Sequence, residues 1–287
     1  MMSPSNQNRP VVLITGASGG FGMLTSLAFA KAGYKVLASM RNLSKKEKLL
    51  ERAREKDVEA NIKYIRLDVT KQSDVDSVIP GAIEHFGRID VLVNNAGYAA
   101  GGFIEELPLE EWSQQFDTNF FGLIAVTKAI LPHMRKRQHG TVINISSISG
   151  RMALPGLGPY SASKYAVEGF SEALRLEMLS YGVHVVLVEP GSYQTDIWSK
   201  GMDHFNADPE SAYKEKNEAL MKIVNHIAKT ADNPEEVARL IVKVAQEDNP
   251  NLRYPIGKNV KTITRLKNLL PWRWLERAIM KKISPRK

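Results

Sequence analysis

The sequence predicts an α/β fold, a doubly wound parallel sheet with helices on both faces, built as a single domain. Three observations carry this. Six short runs rich in β-branched and apolar residues alternate with helix-period stretches, which implies parallel strands joined by helical crossovers. The first run passes through a glycine-rich turn into the first helix. The 287 residues also show no break in composition at which a second domain would have to begin.

Taken in order, Val11 to Ile14 reads as a strand that ends at Thr15-Gly16, and Met23 to Ala32 as a helix stopped by Gly33. Lys35 to Ser39 is a second strand, and Ser44 caps a charged helix that reaches Asp57. Ile62 to Leu67 is a strand closed by Asp68, Ser73 to Phe86 a helix, Ile89 to Val93 a strand and Leu109 to Arg137 one long helix. Thr141 to Ile145, Tyr160 to Tyr181 and Val183 to Val188 follow as strand, helix and strand. Beyond Pro190 the alternation fails. Residues 192–230 mix Trp198, Phe205 and Tyr213 with charged residues and are expected to form a substrate lid over the strands' carboxyl ends. A helix from Pro234 to Gln246 and a strand from Arg253 to Ile256 complete a domain at 11–259. It lies between a flexible N-terminus, 1–10, and a C-terminal extension, 260–287.

Composition narrows the function classes. Hydrophobic residues make up 43% and charged residues 24%, enough for a packed core. With no cysteine, neither a disulfide framework nor a thiolate nucleophile or thiolate metal site can exist, and no metal is expected. The polar start, Met1 to Pro10, lacks a basic segment followed by a long apolar one, and no apolar run reaches about 18 residues. A cytoplasmic protein is the expectation. The net charge of +8 resides in the extension, where nine Lys/Arg from Lys261 to Lys287 face one acid, Glu276; the remainder has 30 of each sign. A neutral body argues against a nucleic-acid partner.

The turn Thr15-Gly16-Ala17-Ser18-Gly19-Gly20-Phe21-Gly22 sits between strand and helix, the Rossmann-like position where glycines let the backbone approach a pyrophosphate at a helix N-terminus. Gly16, Ser18, Gly20, Phe21 and Gly22 are therefore candidate cofactor residues. About 20 residues further on, an acid would suit a free ribose 2′-hydroxyl and an arginine a 2′-phosphate. The chain has Ser39-Met40-Arg41. Arg41 favours NADP(H) over NAD(H), which stays open, since a strand-end arginine is otherwise a solvated residue. Asp68 either accepts from an adenine amino group or caps the following turn. Asn95, Ala96 and Gly97, from Asn94-Asn95-Ala96-Gly97, lie at the same edge, where small residues allow close backbone approach and the asparagines otherwise brace neighbouring strands.

Tyr160 and Lys164 stand four apart on a helix and so share a face. A free phenol with pKa near 10 is a poor acid/base at neutral pH, and a nearby ammonium would lower it. Ser147, just past the fifth strand, can hydrogen-bond a carbonyl or alcohol oxygen at that edge, with Ser146 as competitor.

Thr15-Gly-x-x-x-Gly20-x-Gly22, Asn94-Asn-Ala-Gly97, Asn119, Ser147, Tyr160-x-x-x-Lys164 and Pro190-Gly191 together resemble the signature set of the short-chain dehydrogenase/reductases, in family order and spacing, over about Val11 to Thr195. Phe103-Ile-Glu-Glu and Leu252-Arg-Tyr-Pro-Ile-Gly are similar to uncharacterised bacillus-type oxidoreductases of that family. The resemblance implies hydride transfer between a nicotinamide and a substrate carbon, with Tyr160 protonating the carbonyl oxygen and Ser147 polarising it. It implies further that Lys164 binds the nicotinamide ribose, that Asn119 holds a water linking Lys164 to solvent, that Pro190 and Gly191 are cofactor-binding, and that Thr195 binds the carboxamide. Many NADP-using relatives carry a basic residue just before the second motif glycine, where this chain has Gly19, so the NADP reading rests on Arg41. Homodimers or homotetramers are common in such a family, through helices such as 109–137 and 160–181.

Met152, Leu154, Tyr193, Trp198 and Phe205 are candidate walls of a substrate pocket suited to a small hydrophobic carbonyl or alcohol, or else core residues. A 3-oxoacyl thioester reductase and a non-catalytic NADP(H)-binding sensor remain as alternatives. From Pro271, the residues Trp272, Leu275, Ile279 and Ile283 recur at helical spacing beside Arg273, Arg277 and Lys281. This basic amphipathic helix either makes peripheral membrane contact or docks on the body or on a second subunit.

Overall fold

The computed structural model describes residues 9–195, 197 and 210–283. One sheet of seven parallel strands organises it: β1 (Val11–Ile14), β2 (Lys35–Met40), β3 (Ile62–Arg66), β4 (Val91–Asn94), β5 (Gly140–Ile145), β6 (Val183–Pro190) and β7 (Arg253–Ile256). They lie in the order β3-β2-β1-β4-β5-β6-β7. The order reverses between β1 and β4, so the loops leaving these two strands diverge and open a crevice at the sheet's carboxyl edge.

Period-2 alternation supplies two cores. Val12, Ile14, Val36, Ala38, Val93 and Val186 point to one face, where α1 (Gly20–Lys31), α2 (Glu47–Glu55) and α8 (Glu235–Ala245) contribute Phe29, Leu49 and Ile241. Val11, Leu13, Leu37, Leu92, Val142 and Val185 point to the other, against Ile79 of α3 (Gln72–Phe86), Ile130 and Met134 of α5 (Gly122–Arg137) and Leu174 of α6 (Gly158–Met178). Because helices cover both faces, strand residues on both are apolar and the runs read as nearly continuous. At the opposite, amino edge, buried Asp90 fastens β1, β4 and α5 together by accepting from the Val11 amide at 2.8 Å, from both arms of Arg88, and from Arg137 at 2.9 Å.

Two expectations change. The stretch 109–137 is not one helix: α4 (Leu109–Phe116) passes through a π-helical turn, Asp117–Phe121, before α5 begins. Such a turn admits an extra residue without breaking the helical course, so side-chain periodicity does not reveal it. Within the stretch expected to be mixed lies α7 (Lys214–Thr230), whose Leu220 is buried against Phe103; its dense Lys, Glu and Asn content and the lack of a side-chain cap hide it in the sequence. Two further helices, α9 (Val260–Leu269) and α10 (Trp272–Ile283), form the extension.

Candidate active site

The crevice is a cleft of about 790 Å³ at the carboxyl ends of the strands, lined by residues of the glycine-rich turn with Arg41, Asp68, Asn95, Ser147, Tyr160, Lys164 and Pro190. Its floor is the glycine-rich turn. Gly16 has φ +69°, and a Cβ on it would stand 2.8 Å from the Ala96 Cα, so the ends of β1 and β4 meet backbone to backbone. A Cβ on Gly22 would stand 2.4 Å from the Gly16 carbonyl oxygen. Thr15 and Asn95 lock the arrangement: the Thr15 Oγ1 accepts from the Asn95 and Ala96 backbone amides at 3.0 Å, and the Asn95 side-chain Nδ2 donates to the Thr15 and Gly16 carbonyls at 2.9 and 3.1 Å. Asn95 is thus the brace of the turn, and Asn94 braces β4 to Asn144 and Thr127. The α1 N-terminus then faces a cleft lined by Ser18, Gly20 and Phe21, which suits a ligand carrying phosphate. Gly22 itself packs below the lining, against Gly16.

At the end of β2, Arg41 lines the cleft, as expected, and Lys45 lines it too, which the sequence reading missed. Asn42 accepts from the Ser44 amide at 2.9 Å and so caps a short 3₁₀ turn, Leu43–Lys46, that brings Lys45 back beside the cleft. A basic residue four after a strand-end arginine is the signal that could have revealed it. Asp68 also lines the cleft, and its Oδ1 accepts from the Thr70 amide at 3.1 Å and the Thr70 hydroxyl at 2.8 Å, which is the turn-capping alternative realised.

Ser147, at the end of β5, caps another 3₁₀ turn by accepting from the Ser149 amide at 3.1 Å. Ser147, Tyr160 and Lys164 all line the cleft, and the Lys164 Nζ donates to the Ile145 carbonyl at 2.7 Å and stands 5.8 Å from the Tyr160 ring centre. Burial pushes the Tyr160 phenol above its ordinary value, while a hydrogen bond from the Ser147 hydroxyl pulls it down. Burial also pushes the Lys164 ammonium down to about 8, with Glu168 pulling the other way. The expected depression of Tyr160 by Lys164 does not appear: the lowering comes from Ser147, and desolvation, a cost that spacing along a helix does not show, outweighs it. The competitor Ser146 lines the cleft as well, but its hydroxyl is buried without a hydrogen-bond partner.

Asn119 sits inside the π-turn and is buried, its Oδ1 accepting from the Tyr98 amide at 3.0 Å and its Nδ2 donating to the Tyr98 carbonyl at 2.9 Å and to Ser163 at 3.3 Å. These bonds tie the loop after β4 to α6 and occupy its side chain. Pro190, Gly191 and Thr195 line the far wall, and a Cβ on Gly20 would stand 3.7 Å from the Thr195 Cβ.

The expected substrate residues divide. Tyr193 lines the cleft at the glycine-turn end, its buried ring edge-on to Phe21 at 5.6 Å, and belongs to the core beneath the turn. Met152 and Leu154 are not among the residues lining this cleft, and Leu154 is exposed. Trp198 and Phe205 lie outside the described residues. Behind Lys164, and unforeseen, is a buried charge cluster. Arg253 reaches Glu168 at 3.0 Å and Glu189 at 3.1 Å, while Arg151 stands 3.8 and 3.5 Å from the same two carboxylates. Burial, then the neighbouring Glu168, pushes Glu189 up to about 7. No group of metal-ligating residues large enough to hold an ion occurs among the described residues.

A family model for the short chain dehydrogenases matches residues 10–204. The chain belongs to the short-chain dehydrogenase family. As a short-chain dehydrogenase it is an NAD(P)-dependent oxidoreductase. It is 43% identical to the uncharacterised oxidoreductase YusZ of Bacillus subtilis, over 96% of this chain and 99% of that protein. It is 35% identical to a 3-ketodihydrosphingosine reductase of Bacteroides thetaiotaomicron, over 94% of this chain and 96% of that one. The solved structure of ElxO with NADP bound, 28% identical, superposes with a TM-score of 0.74 over 88% of this short-chain dehydrogenase and 99% of ElxO.

Proposed function

We propose that the enzyme uses NADPH in preference to NADH to reduce the carbonyl of a hydrophobic substrate, or to oxidise the corresponding alcohol. The observation that carries the reading is the convergence of Ser147, Tyr160 and Lys164 at the rim of a cleft whose floor is the Gly16–Gly22 turn. A nicotinamide dinucleotide, when bound, supplies hydride donor and acceptor. The Tyr160 phenol carries the proton to or from the substrate oxygen, and the Ser147 hydroxyl donates to that same oxygen. The Lys164 ammonium, anchored on Ile145, favours the phenolate as it forms. Asn119 serves by holding Tyr98 and Ser163, which fixes the start of α6 against the loop after β4.

Arg41 and Lys45 support the NADPH preference, because the segment after β2 brings two cations and no carboxylate to the cleft. The NADP held by ElxO agrees with this. A lipophilic keto substrate is supported by the name of the Bacteroides relative. No helix among the described residues is long and apolar enough to cross a membrane. Exposed Phe121, Leu176 and Leu179, on or beside α5 and α6, support a homodimer or homotetramer through those helices. The test is oxidation of NADPH and NADH against a panel of long-chain ketones, aldehydes and 3-oxoacyl thioesters. Turnover of the free lipophilic ketones with NADPH is expected; turnover confined to the thioesters would move the substrate class to acyl carriers.

A further inference from the structure

We propose that the corner between α9 and α10 is a docking surface for an anionic lipid bilayer. This is independent of the catalytic reading. The extension is held to the body by one set of apolar side chains: Val260 is buried, and Ile279 packs on Leu220 of α7 in a cluster that includes Phe103. Lys267 turns inward as well, donating to the Arg151 carbonyl and the Tyr165 hydroxyl. A second apolar set is left outward. Leu269 is 79% exposed, Trp272 56% and Trp274 63%, gathered where the chain turns through Leu270 and Pro271, with Leu266 and Met280 exposed on either side. The stripe expected along α10 is thus split, with Ile279 used for anchoring and Trp272 left free of the body.

Charge selects the occupant. Lys261, Arg265, Arg273, Arg277 and Lys281 are exposed along the two helices that meet at this corner, and none takes part in an ion pair among the described residues. A second copy meeting the patch symmetrically would bring the same cations onto it, which like-charge repulsion disfavours. A nucleic acid answers the charge but offers nothing to Leu266, Leu269 and Met280. An anionic bilayer answers both: its headgroups pair with the cations, aliphatic side chains enter the acyl boundary, and tryptophan settles at the interface with its N–H toward water.

The test is co-sedimentation of the full chain with vesicles of phosphatidylglycerol and phosphatidylcholine, with phosphatidylcholine alone as control, at low and high salt. Two variants are compared with the wild type, Leu269→Ser/Trp272→Ser/Trp274→Ser and Arg273→Glu/Arg277→Glu, with thermal unfolding as the check that each is folded. Binding to the phosphatidylglycerol vesicles that weakens with salt and falls about tenfold or more in both folded variants is expected. The proposal is overturned by no sedimentation with anionic vesicles, or by sedimentation unchanged in the folded variants. It is equally overturned by a salt-sensitive oligonucleotide affinity exceeding that for vesicles, or by variants that alter oligomeric mass while leaving vesicle binding intact.

Discussion

The Lys164 ammonium donates to the Ile145 carbonyl at 2.7 Å, so the side chain one turn beyond Tyr160 is fastened to the end of β5 and held at the cleft. With its pKa brought down to about 8 by burial, Lys164 is charged below that pH and neutral above it. A function that needs the ammonium should be lost on the alkaline side. The pH profile of kcat/KM for reduction is expected to fall above an apparent pKa near 8. In Lys164→Met, kcat is expected to drop and the alkaline limb to disappear.

Glu189 gives a pH dependence of stability with the opposite sign to that of a salt-bridged acid. Its folded pKa of about 7 lies above the ordinary 4.5, so between these values the folded protein binds more protons than the unfolded chain. Stability from this site is complete below pH 4.5 and is lost as pH rises through 7. Urea unfolding at pH 5 and pH 7.5 should show that loss, on the order of 1 kcal/mol after solvent screening, and Glu189→Gln should flatten it.

Arg41 and Lys45 should act on the cofactor and not on the chemistry. Arg41→Ala is expected to raise the KM for NADPH about 10- to 100-fold, the loss of a charge-assisted hydrogen bond, with little change in kcat or in the KM for NADH. Adding Lys45→Ala should weaken NADPH further. Equal losses with both cofactors would remove the 2′-phosphate from the explanation.

Gly22→Ala tests the turn itself. The added Cβ would have to displace the Gly16 carbonyl or the Asn95 amide, both within 2.5 Å of it. Chemical unfolding should register a cost of about 1–3 kcal/mol, and NADPH affinity should fall with it.

How far the sequence reaches is clear from which residues share a segment. The Gly16–Gly22 turn and the Tyr160–Lys164 pair were legible because each is local, a tight turn or one helical turn, placed by the strand or helix beside it. Lys45 was missed because a 3₁₀ turn capped by Asn42, not a regular helix, returns it to the cleft. The π-turn around Asn119 left no mark in the periodicity. The group of Arg151, Glu168, Glu189 and Arg253 joins separate segments, through the pairing of β6 with β7 and the packing of α6, and one sequence contains no trace of that meeting.

Tyr160 bears the proposed proton transfer, and one comparison isolates it. NADPH binding, followed by cofactor fluorescence, and steady-state reduction of the best substrate should be measured side by side for the wild type and Tyr160→Phe. The variant is expected to bind NADPH as the wild type does while kcat falls by about 10²- to 10⁴-fold, the range for removal of a general acid. Turnover that persists in a Tyr160→Phe protein with intact NADPH binding would place the acid elsewhere.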